Sequence, residues 1–374
     1  MSSYSSVEDH RSMFFDSLRN SFYAEAIQKV VTRDSVVLDL GAGLGLHGFM
    51  AIECGAKKVY LVEPASIIEI TKQLVRSNDL SDKVECIKGK IEEVDLPDKV
   101  DCIISVFTGN FLLSEDLLPS LFYARDNFLR PGGKLIPDRA KMEVVPVFAE
   151  EYYAKHIDCW KDTAAEINLD AIRKFAVNTL YHDYPNDRNE EFLAEPVELL
   201  DLDFMTATEA ACRNCVEVVI NRDGLCHGWL GWFQTCVGER WLSTSPQEKQ
   251  MHWRQVFLPL SEPIRVKKGG TMQFELNRPE YGEWTWTIKY ADTRQQQSTF
   301  HSKTVTPTEL LMLSNSYKAT LSDKGHVALN VLKQLDGTKK TSNVVAYLLE
   351  NYPSQFKSYL IAEQFIKATI KEYS

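Results

Sequence analysis

The chain has 374 residues, of which 44% are hydrophobic and 25% charged, and its formal net charge at pH 7 is -10. This length exceeds one ordinary hydrophobic core, so the sequence predicts two or three modules in a water-soluble globular protein. The acidic balance argues against broad electrostatic capture of nucleic acid, and the lack of a long apolar run argues against a bilayer span.

The N-terminal segment has none of the features of a secretion signal. Residues Met1–Tyr4 contain no basic stretch followed by an apolar core, so no signal peptide is predicted and a cytoplasmic location is expected. Tyr4 is the only aromatic residue before His10.

The first 137 residues alternate between strand and helix patterns. Short buried strands are predicted at Val36–Leu40, Lys58–Val62, Val84–Ile87 and Val100–Ile104. Helical stretches separate them, which predicts a parallel sheet with right-handed crossovers. Ligands of such sheets bind beyond the carboxyl ends of the strands.

A glycine-rich loop joins the first strand to the first crossover helix. Gly41, Gly43 and Gly45 follow Asp39 in a D-x-G-x-G-x-G pattern, and Glu63 ends the second strand. Glycines let backbone approach a ligand at a helix N-terminus, and an acid in the position of Glu63 binds ribose hydroxyls. Spacing alone also fits a dinucleotide oxidoreductase. The full pattern favours S-adenosylmethionine, since its amino-acid end needs amides and its ribose needs a carboxylate.

After residue 137 the pattern changes to short strands separated by turns. Met142–Phe148 and the region from Val197 to about Phe300 predict an antiparallel β-barrel-like domain. Between them lies an excursion with apolar residues at helical spacing from Asp162 to Val177 and a turn at Tyr184–Asp187. An insertion of this length inside a β domain usually has a function separate from that of the domain.

The last part of the chain, from about Thr308, is predicted to be helical. Amphipathic patterns cover Gly325–Leu335, Asn343–Glu350 and Ser358–Ile370. They predict a helical extension that follows the β domain.

The eight cysteines lack the spacing of a disulfide framework. Cys212 and Cys215 form a single CxxC pair, and Cys226 and Cys236 follow it. A zinc site from these four is an alternative, but reduced thiols in strands are the preferred interpretation.

These segments together resemble type I protein arginine methyltransferases, in the order in which that family carries them. Val37–Gly45 resembles motif I, Val62 and Glu63 the acidic position after it, and Lys88–Pro97 the strand that contacts adenine. In the N-terminal segment, the residues that fall where the family's cofactor-covering helix would place them are Tyr4, His10, Met13, Asp16 and Arg19. The resemblance covers nearly the whole chain to about residue 300.

The resemblance implies three parts. Residues 1–137 would form a Rossmann-like S-adenosylmethionine methyltransferase domain, and residues 138–305 an antiparallel β-barrel domain with an inserted helical dimerisation arm at about 153–189. Residues 306–374 would form a helical C-terminal extension. The residues that the resemblance assigns to the cofactor are Arg19, Gly41, Gly43, Gly45, Glu63, Ile91 and Glu92.

Three departures from the family pattern fall around the implied active site. Ser105–Glu115 resembles the double-E loop, whose two glutamates hold the substrate guanidinium; Glu115 matches the second glutamate, but Val106 replaces the first. Ser245–Gln255 resembles the family's THW loop, where Met251 replaces threonine and His252 is expected to be a packed, hydrogen-bonded residue. The family's aromatic segment before His10 is nearly absent.

The departures predict a catalytically inactive paralogue, most similar to the arginine methyltransferase prozyme of kinetoplastids. Such a chain would form a heteromeric complex with a catalytic subunit, activate it, and meet arginine-rich substrates only through that complex. The alternative is an active methyltransferase with a degenerate loop, in which Glu115 is aided by Asp116 or another carboxylate. Whether this chain binds S-adenosylmethionine is left open by the sequence.

Overall fold

The computed structural model describes residues 6–161, 163–164, 166–184 and 191–373. Tyr4 and the part of the predicted turn at Pro185–Asp187 lie outside these residues. The chain divides into two units, one ending at Lys303 and the other beginning at Thr304.

The first unit begins with two helices and a five-stranded sheet. Their bounds are α1 Val7–Phe14, α2 Ser17–Val30, β1 Val36–Leu40, α3 Leu46–Glu53, β2 Lys58–Glu63, α4 Ile68–Ser77, β3 Val84–Lys88, β4 Val100–Ser105, α5 Leu118–Phe128 and β5 Leu129–Ile136. The strands pair in parallel in the order β3-β2-β1-β4-β5. Every residue of β1 is buried, as expected for a central parallel strand covered on both faces. The predicted Rossmann-like sheet is therefore confirmed.

The rest of the first unit is dominated by antiparallel sheet. The bounds are β6 Arg139–Val147, α6 Glu150–His156, β7 Thr163–Ala164, β8 Ile167–Asn168, α7 Asp170–Ala176, β9 Tyr181–Tyr184, β10 Val197–Asp203, β11 Cys212–Val219, β12 Gly224–Val237, β13 Arg240–Ser243, β14 Gln255–Val266, β15 Thr271–Arg278, β16 Thr285–Tyr290 and β17 Thr293–Ser298. One sheet has the order β10-β6-β12-β14-β9, with β13 beside β12, and a second has the order β11-β15-β16-β17. The predicted antiparallel β domain is confirmed.

One hydrophobic core runs through both parts of this unit. It joins residues of the parallel sheet, such as Leu38 and Ile103, to residues of the antiparallel sheets, such as Trp229 and Phe274. Residues carried by the parallel sheet and by the β domain are thus held in fixed positions relative to one another.

The excursion between β6 and β10 is less helical than predicted. Thr163–Ala164 and Ile167–Asn168 pair as a small two-stranded sheet, and the helix covers only Asp170–Ala176. Turn chemistry explains the difference, because the Asn168 side chain accepts a hydrogen bond from the Asp170 backbone N–H at 2.7 Å. This bond favours a helix that starts after Asn168, so the helical prediction for Asp162–Val177 is wrong at Thr163–Ala164 and Ile167–Asn168, while residues 162 and 165 lie outside the described residues.

Aromatic residues attach the excursion to the β domain. Tyr152 and Tyr153 of α6 pack with Trp232 of β12 and Phe257 of β14 in a cluster of their own. The Tyr153 hydroxyl also donates to the Leu260 carbonyl at 2.9 Å. The base of the excursion is therefore firmly anchored.

The cysteines of the CxxC pair lie on strand β11, where alternate side chains point to opposite faces. Cys212 is buried and Cys215 is exposed, so their thiols do not converge on one ion. Across the described ranges, no group of three His, Cys, Asp or Glu side chains could hold a metal ion.

The second unit has four helices: α8 Pro307–Met312, α9 Asp323–Gln334, α10 Thr341–Asn351 and α11 Tyr359–Tyr373. The last three share a small apolar core that includes Val331, Val345 and Ile366. Helix α9 begins two residues earlier than predicted, because Ser322 caps it by accepting a hydrogen bond from the Gly325 N–H. In the part of the chain that the structure describes, no helix is both long and apolar enough to cross a membrane.

Candidate active site

A cavity of about 410 Å³ lies where strands β1, β2 and β4 end. Its wall comes from α1, the start of α2, the glycine loop (residues 41–45), the end of β2, the β4–α5 loop (residues 106–117) and the β13–β14 loop (residues 244–254). This is the carboxyl edge of the parallel sheet, where ligands of such sheets bind.

The glycine loop needs glycine for both conformation and space. Gly41, Gly43 and Gly45 have φ values of +70°, +53° and +82°. A Cβ on Gly41 would lie 2.2 Å from the Phe107 ring, and one on Gly43 would lie 2.8 Å from the His10 ring. Gly41 and Gly43 line the cavity, whereas Gly45 packs toward the sheet.

Glu63 is a fixed carboxylate in the cavity wall. One of its oxygens accepts from the Gly43 N–H at 3.0 Å, and the other accepts from the Ala65 N–H at 2.8 Å. Because an ionised carboxylate can accept about four hydrogen bonds, capacity remains for the hydroxyls of a ribose. On strand β1, burial raises the pKa of Asp39 to about 7 even though it accepts a hydrogen bond from the Gly48 N–H.

Arg19 is a buried cation in the same wall, 4% exposed. Its guanidinium donates to the Asn20 side chain and the Met13 carbonyl, but within the described ranges no carboxylate lies within ion-pair distance. Burial lowers the pKa of Arg19, although nearby acidic groups oppose the shift. A buried guanidinium without a counter-charge fits a carboxylate ligand, because a bound anion would offset its desolvation.

Two of the predicted cofactor residues lie outside the cavity wall. Ile91 is buried in the core, and Glu92 is exposed and accepts a hydrogen bond from the Ser120 hydroxyl. The structure thus brings Arg19, Gly41 and Gly43 together with Glu63 in the cavity wall, and the role of Ile91 and Glu92 as adenine contacts stays a prediction.

The β4–α5 loop presents Val106 and Glu115 to the cavity. Among the residues of this loop that line the wall, Glu115 is the only acid. Its neighbour Asp116 is bound elsewhere, accepting from the Arg278 guanidinium at 2.5 Å and from the Tyr281 N–H at 2.9 Å. Asp116 is not among the residues that line the cavity, and the expectation that it could aid Glu115 stays a prediction.

His252 lines the cavity and is hydrogen-bonded, while Met251 is buried outside the lining residues. The His252 ring and backbone N–H contact one oxygen of Asp16 at 2.8 and 3.0 Å. Burial lowers the pKa of His252 despite the carboxylate beside it. Although burial alone would raise it, the hydrogen bonds from His252 hold the pKa of the Asp16 carboxyl at about 2. A neutral imidazole that donates its Nδ1–H to an ionised carboxylate agrees with both the lowered pKa of His252 and the lowered pKa of Asp16.

The Asp16–His252 pair predicts acid-sensitive stability. A carboxyl whose folded pKa lies below its usual 3.8 stabilises the fold fully above about pH 4 and loses this contribution as pH falls toward 2. We expect Asp16→Asn to cost about 1 kcal/mol at pH 6, after allowance for solvent screening, and about half as much at pH 3. Urea unfolding at the two pH values measures the difference. The control is Asp34→Asn, which removes an exposed carboxylate. Its effect on the free energy of unfolding should be the same at the two pH values.

The sequence did not single out some residues that the structure places in the cavity. His47 of α3 and Phe107 of the β4–α5 loop both line it. Trp253 also lines it and donates its indole N–H to the Thr108 carbonyl at 3.1 Å, which links the two loops. A histidine directly after the glycine loop was the available signal for His47, because the first turn of a crossover helix faces the ligand site.

Comparisons with known proteins agree with this arrangement. One family model, the methyltransferase domain, matches residues 37–133, and another, the arginine methyltransferase oligomerization subdomain, matches residues 138–295. Protein arginine N-methyltransferase 1 of Chlamydomonas reinhardtii is 34% identical over 281 residues, which span 73% of this chain and 81% of that protein. Protein arginine N-methyltransferase 6 of Xenopus tropicalis is 32% identical over 278 residues, spanning 71% and 82%.

A solved structure adds a likeness in three dimensions. A chain of the PRMT1 enzyme-prozyme heterotetrameric complex of Trypanosoma brucei with AdoHcy superposes with a TM-score of 0.72 at 26% identity. The match covers 79% of this chain and 99% of that one.

Proposed function

The chain belongs to the protein arginine methyltransferase family, and on that premise we propose that it is a non-catalytic member that activates a catalytic paralogue in a heteromeric complex. The observation that carries the proposal is Val106, an apolar side chain in the cavity wall where the loop offers only Glu115 as an acid. In this proposal the chain acts by binding its partner through its surface and not by catalysis in its cavity.

The chemistry of arginine explains why one missing carboxylate matters. A guanidinium keeps its proton and delocalises its charge, so it is a poor nucleophile. Two carboxylates would hold it and draw its positive charge away from the nitrogen that reacts. With Val106 in place of one of them, we expect a loss of about 3 kcal/mol, or two orders of magnitude in rate. Desolvating a guanidinium against valine adds to this cost.

The donor set of the cavity supports S-adenosylmethionine as the ligand. When bound, this cofactor supplies an electrophilic methyl group on its sulfonium. In our proposal Glu63 accepts from the ribose hydroxyls, the loop of Gly41, Gly43 and Gly45 gives close backbone approach, and Arg19 neutralises the amino-acid carboxylate. Ile91 and Glu92 stay proposed adenine contacts.

The excursion between β6 and β10 is the proposed arm for the partner. It lies within the part matched by the oligomerization subdomain, and it carries a groove of about 330 Å³ lined by Trp160, Ile172 and Phe175 among others. The Trypanosoma structure is of an enzyme-prozyme complex, which supports a partner that is itself a family member. An apolar groove on an anchored arm suits the burial of apolar side chains from such a partner.

Co-expression with a catalytic paralogue tests the proposal. We expect a stable complex whose methyl transfer to an arginine-rich peptide exceeds that of the paralogue alone by at least tenfold, while this chain alone transfers no measurable label. Ile172→Asp, in the groove, should abolish the complex, whereas Ile167→Asp, on an exposed strand outside the groove, should leave it intact. Lack of both complex and activation would refute the proposal.

A second function, a weak arginine methyltransferase, is favoured by a different observation. His252, hydrogen-bonded to Asp16, stands in the cavity wall with Glu63 and Arg19, so several polar groups of an enzyme site are in place. Robust turnover by the purified chain, measured with labelled cofactor and peptide, would support this function over the non-catalytic one.

A further inference from the structure

His47 is a buried histidine whose role is explained by neither the glycine loop nor the β4–α5 loop. It stands in the first turn of α3, is 6% exposed and lines the cavity. Its Nε2 atom is buried and has no hydrogen-bond partner among the residues that the structure describes. Buried polar atoms are nearly always hydrogen-bonded, so an unpaired atom on a residue of the cavity wall points to a bond that a bound ligand would supply.

The ring of His47 is held in a fixed position. It packs against the Tyr23 ring at a centroid distance of 4.5 Å, and the Tyr23 hydroxyl donates to the Ser105 carbonyl at 2.9 Å. Tyr23 lies one helical turn after Arg19 on α2. His47 is therefore oriented by the same helix that carries the buried guanidinium.

Arg19 and His47 share one electrostatic environment. Burial, and after it the Arg19 charge, lowers the pKa of His47 to about 3. The imidazole is therefore neutral at physiological pH and carries one N–H donor. The two side chains offer a full positive charge and a neutral donor, and neither has an anionic partner within the described residues.

We propose that His47 acts with Arg19 as a receptor for the carboxylate at the amino-acid end of the cofactor, with the His47 imidazole donating a hydrogen bond to it. His47 is thus a residue that selects ligands with a free amino acid over ligands that carry only the nucleoside. The inference rests on the proposed function only for the identity of the ligand. It holds whether or not the chain transfers methyl groups.

Calorimetry with two ligands tests this assignment. S-adenosylhomocysteine carries the carboxylate, whereas 5′-methylthioadenosine shares the adenosine and thioether but lacks the amino acid. We expect His47→Leu to weaken S-adenosylhomocysteine binding about tenfold, since a hydrogen bond to a charged group is lost, and to change methylthioadenosine binding less than twofold. His47→Gln, whose amide N–H reaches a comparable position, should stay within threefold of the unaltered chain for both ligands.

A second buried histidine provides the matched control. His227 is 3% exposed, lies on β12 outside the cavity, and accepts from the Ala149 N–H at 3.2 Å. His227→Leu should leave both affinities unchanged, and thermal melting of each variant reports whether it is folded.

The assignment is overturned if His47→Leu weakens both ligands equally or neither, if His47→Gln binds as poorly as His47→Leu, or if the unaltered chain binds neither ligand. The non-catalytic proposal is judged separately. His47→Leu should still co-purify with the catalytic paralogue, so failure of ligand selection and failure of partner binding are distinguishable.

Discussion

Replacing Val106 by glutamate is expected to raise methyl transfer by the purified chain about 100-fold, from a rate below detection to a measurable one. The new carboxylate would share the cavity with Glu115 and complete the pair that a guanidinium needs. Position 106 is half-buried in a wall that also holds Phe107 and Trp253, and such surroundings would strengthen attraction to a cation because they screen charges less than water. The measurement is incorporation of labelled methyl into an arginine-rich peptide at saturating cofactor, without partner.

Two variants separate charge from shape in this experiment. Val106→Gln has nearly the same size as the glutamate without its charge, so it should stay at the level of the unaltered chain. Adding Glu115→Gln to Val106→Glu should remove the gain, because one carboxylate is again missing. If Val106→Glu binds cofactor and peptide but turns over no faster, Val106 is not the cause of inactivity. Met251→Thr in the same background then tests the β13–β14 loop.

The central strands could be predicted within one residue from the sequence. Runs such as Val36–Leu40 are fully buried, and apolar runs bounded by turn residues mark strands of parallel sheets. The parallel sheet then brings Gly41, Glu63 and Val106 to one edge, because each follows or ends a strand of that sheet. This part of the candidate site depends on the topology of the sheet, and the alternation of strands and helices in the sequence predicts that topology.

The rest of the site depends on contacts between distant parts of the chain. Asp16 and His252 are 236 positions apart, and Asp116 and Arg278 are 162 apart. No periodicity in the sequence links such residues, and only the shared core fixes them together. In the excursion, local turn chemistry at Asn168 overrode the helical spacing that predicted one longer helix.

Removing the charge of Asp116 is expected to destabilise the first unit by about 3 kcal/mol. Arg278 is 2% exposed, and its Nε and Nη1 atoms have no hydrogen-bond partner in the described residues, so Asp116 is its compensating charge. Asp116→Asn isolates this charge, because its φ of +53° is one that asparagine tolerates. All seven tryptophans lie between residues 160 and 286, so urea unfolding followed by tryptophan fluorescence reports this unit alone.

A double-mutant cycle attributes the loss to the ion pair. Arg278→Met removes the charge and keeps much of the apolar bulk that stacks near Trp284, so the double variant should be more stable than Asp116→Asn alone. If the losses of stability of the two single variants simply add in the double variant, the ion pair is not the cause.

Because Asp116 adjoins Glu115, the same variants also separate two roles for the Asp116 carboxylate. If Asp116→Asn keeps full stability but removes peptide binding in the Val106→Glu background, the role of Asp116 is to bind the peptide and not to stabilise the fold. The short contact with Arg278 favours the opposite result, in which stability falls and the specificity of the pocket is unchanged.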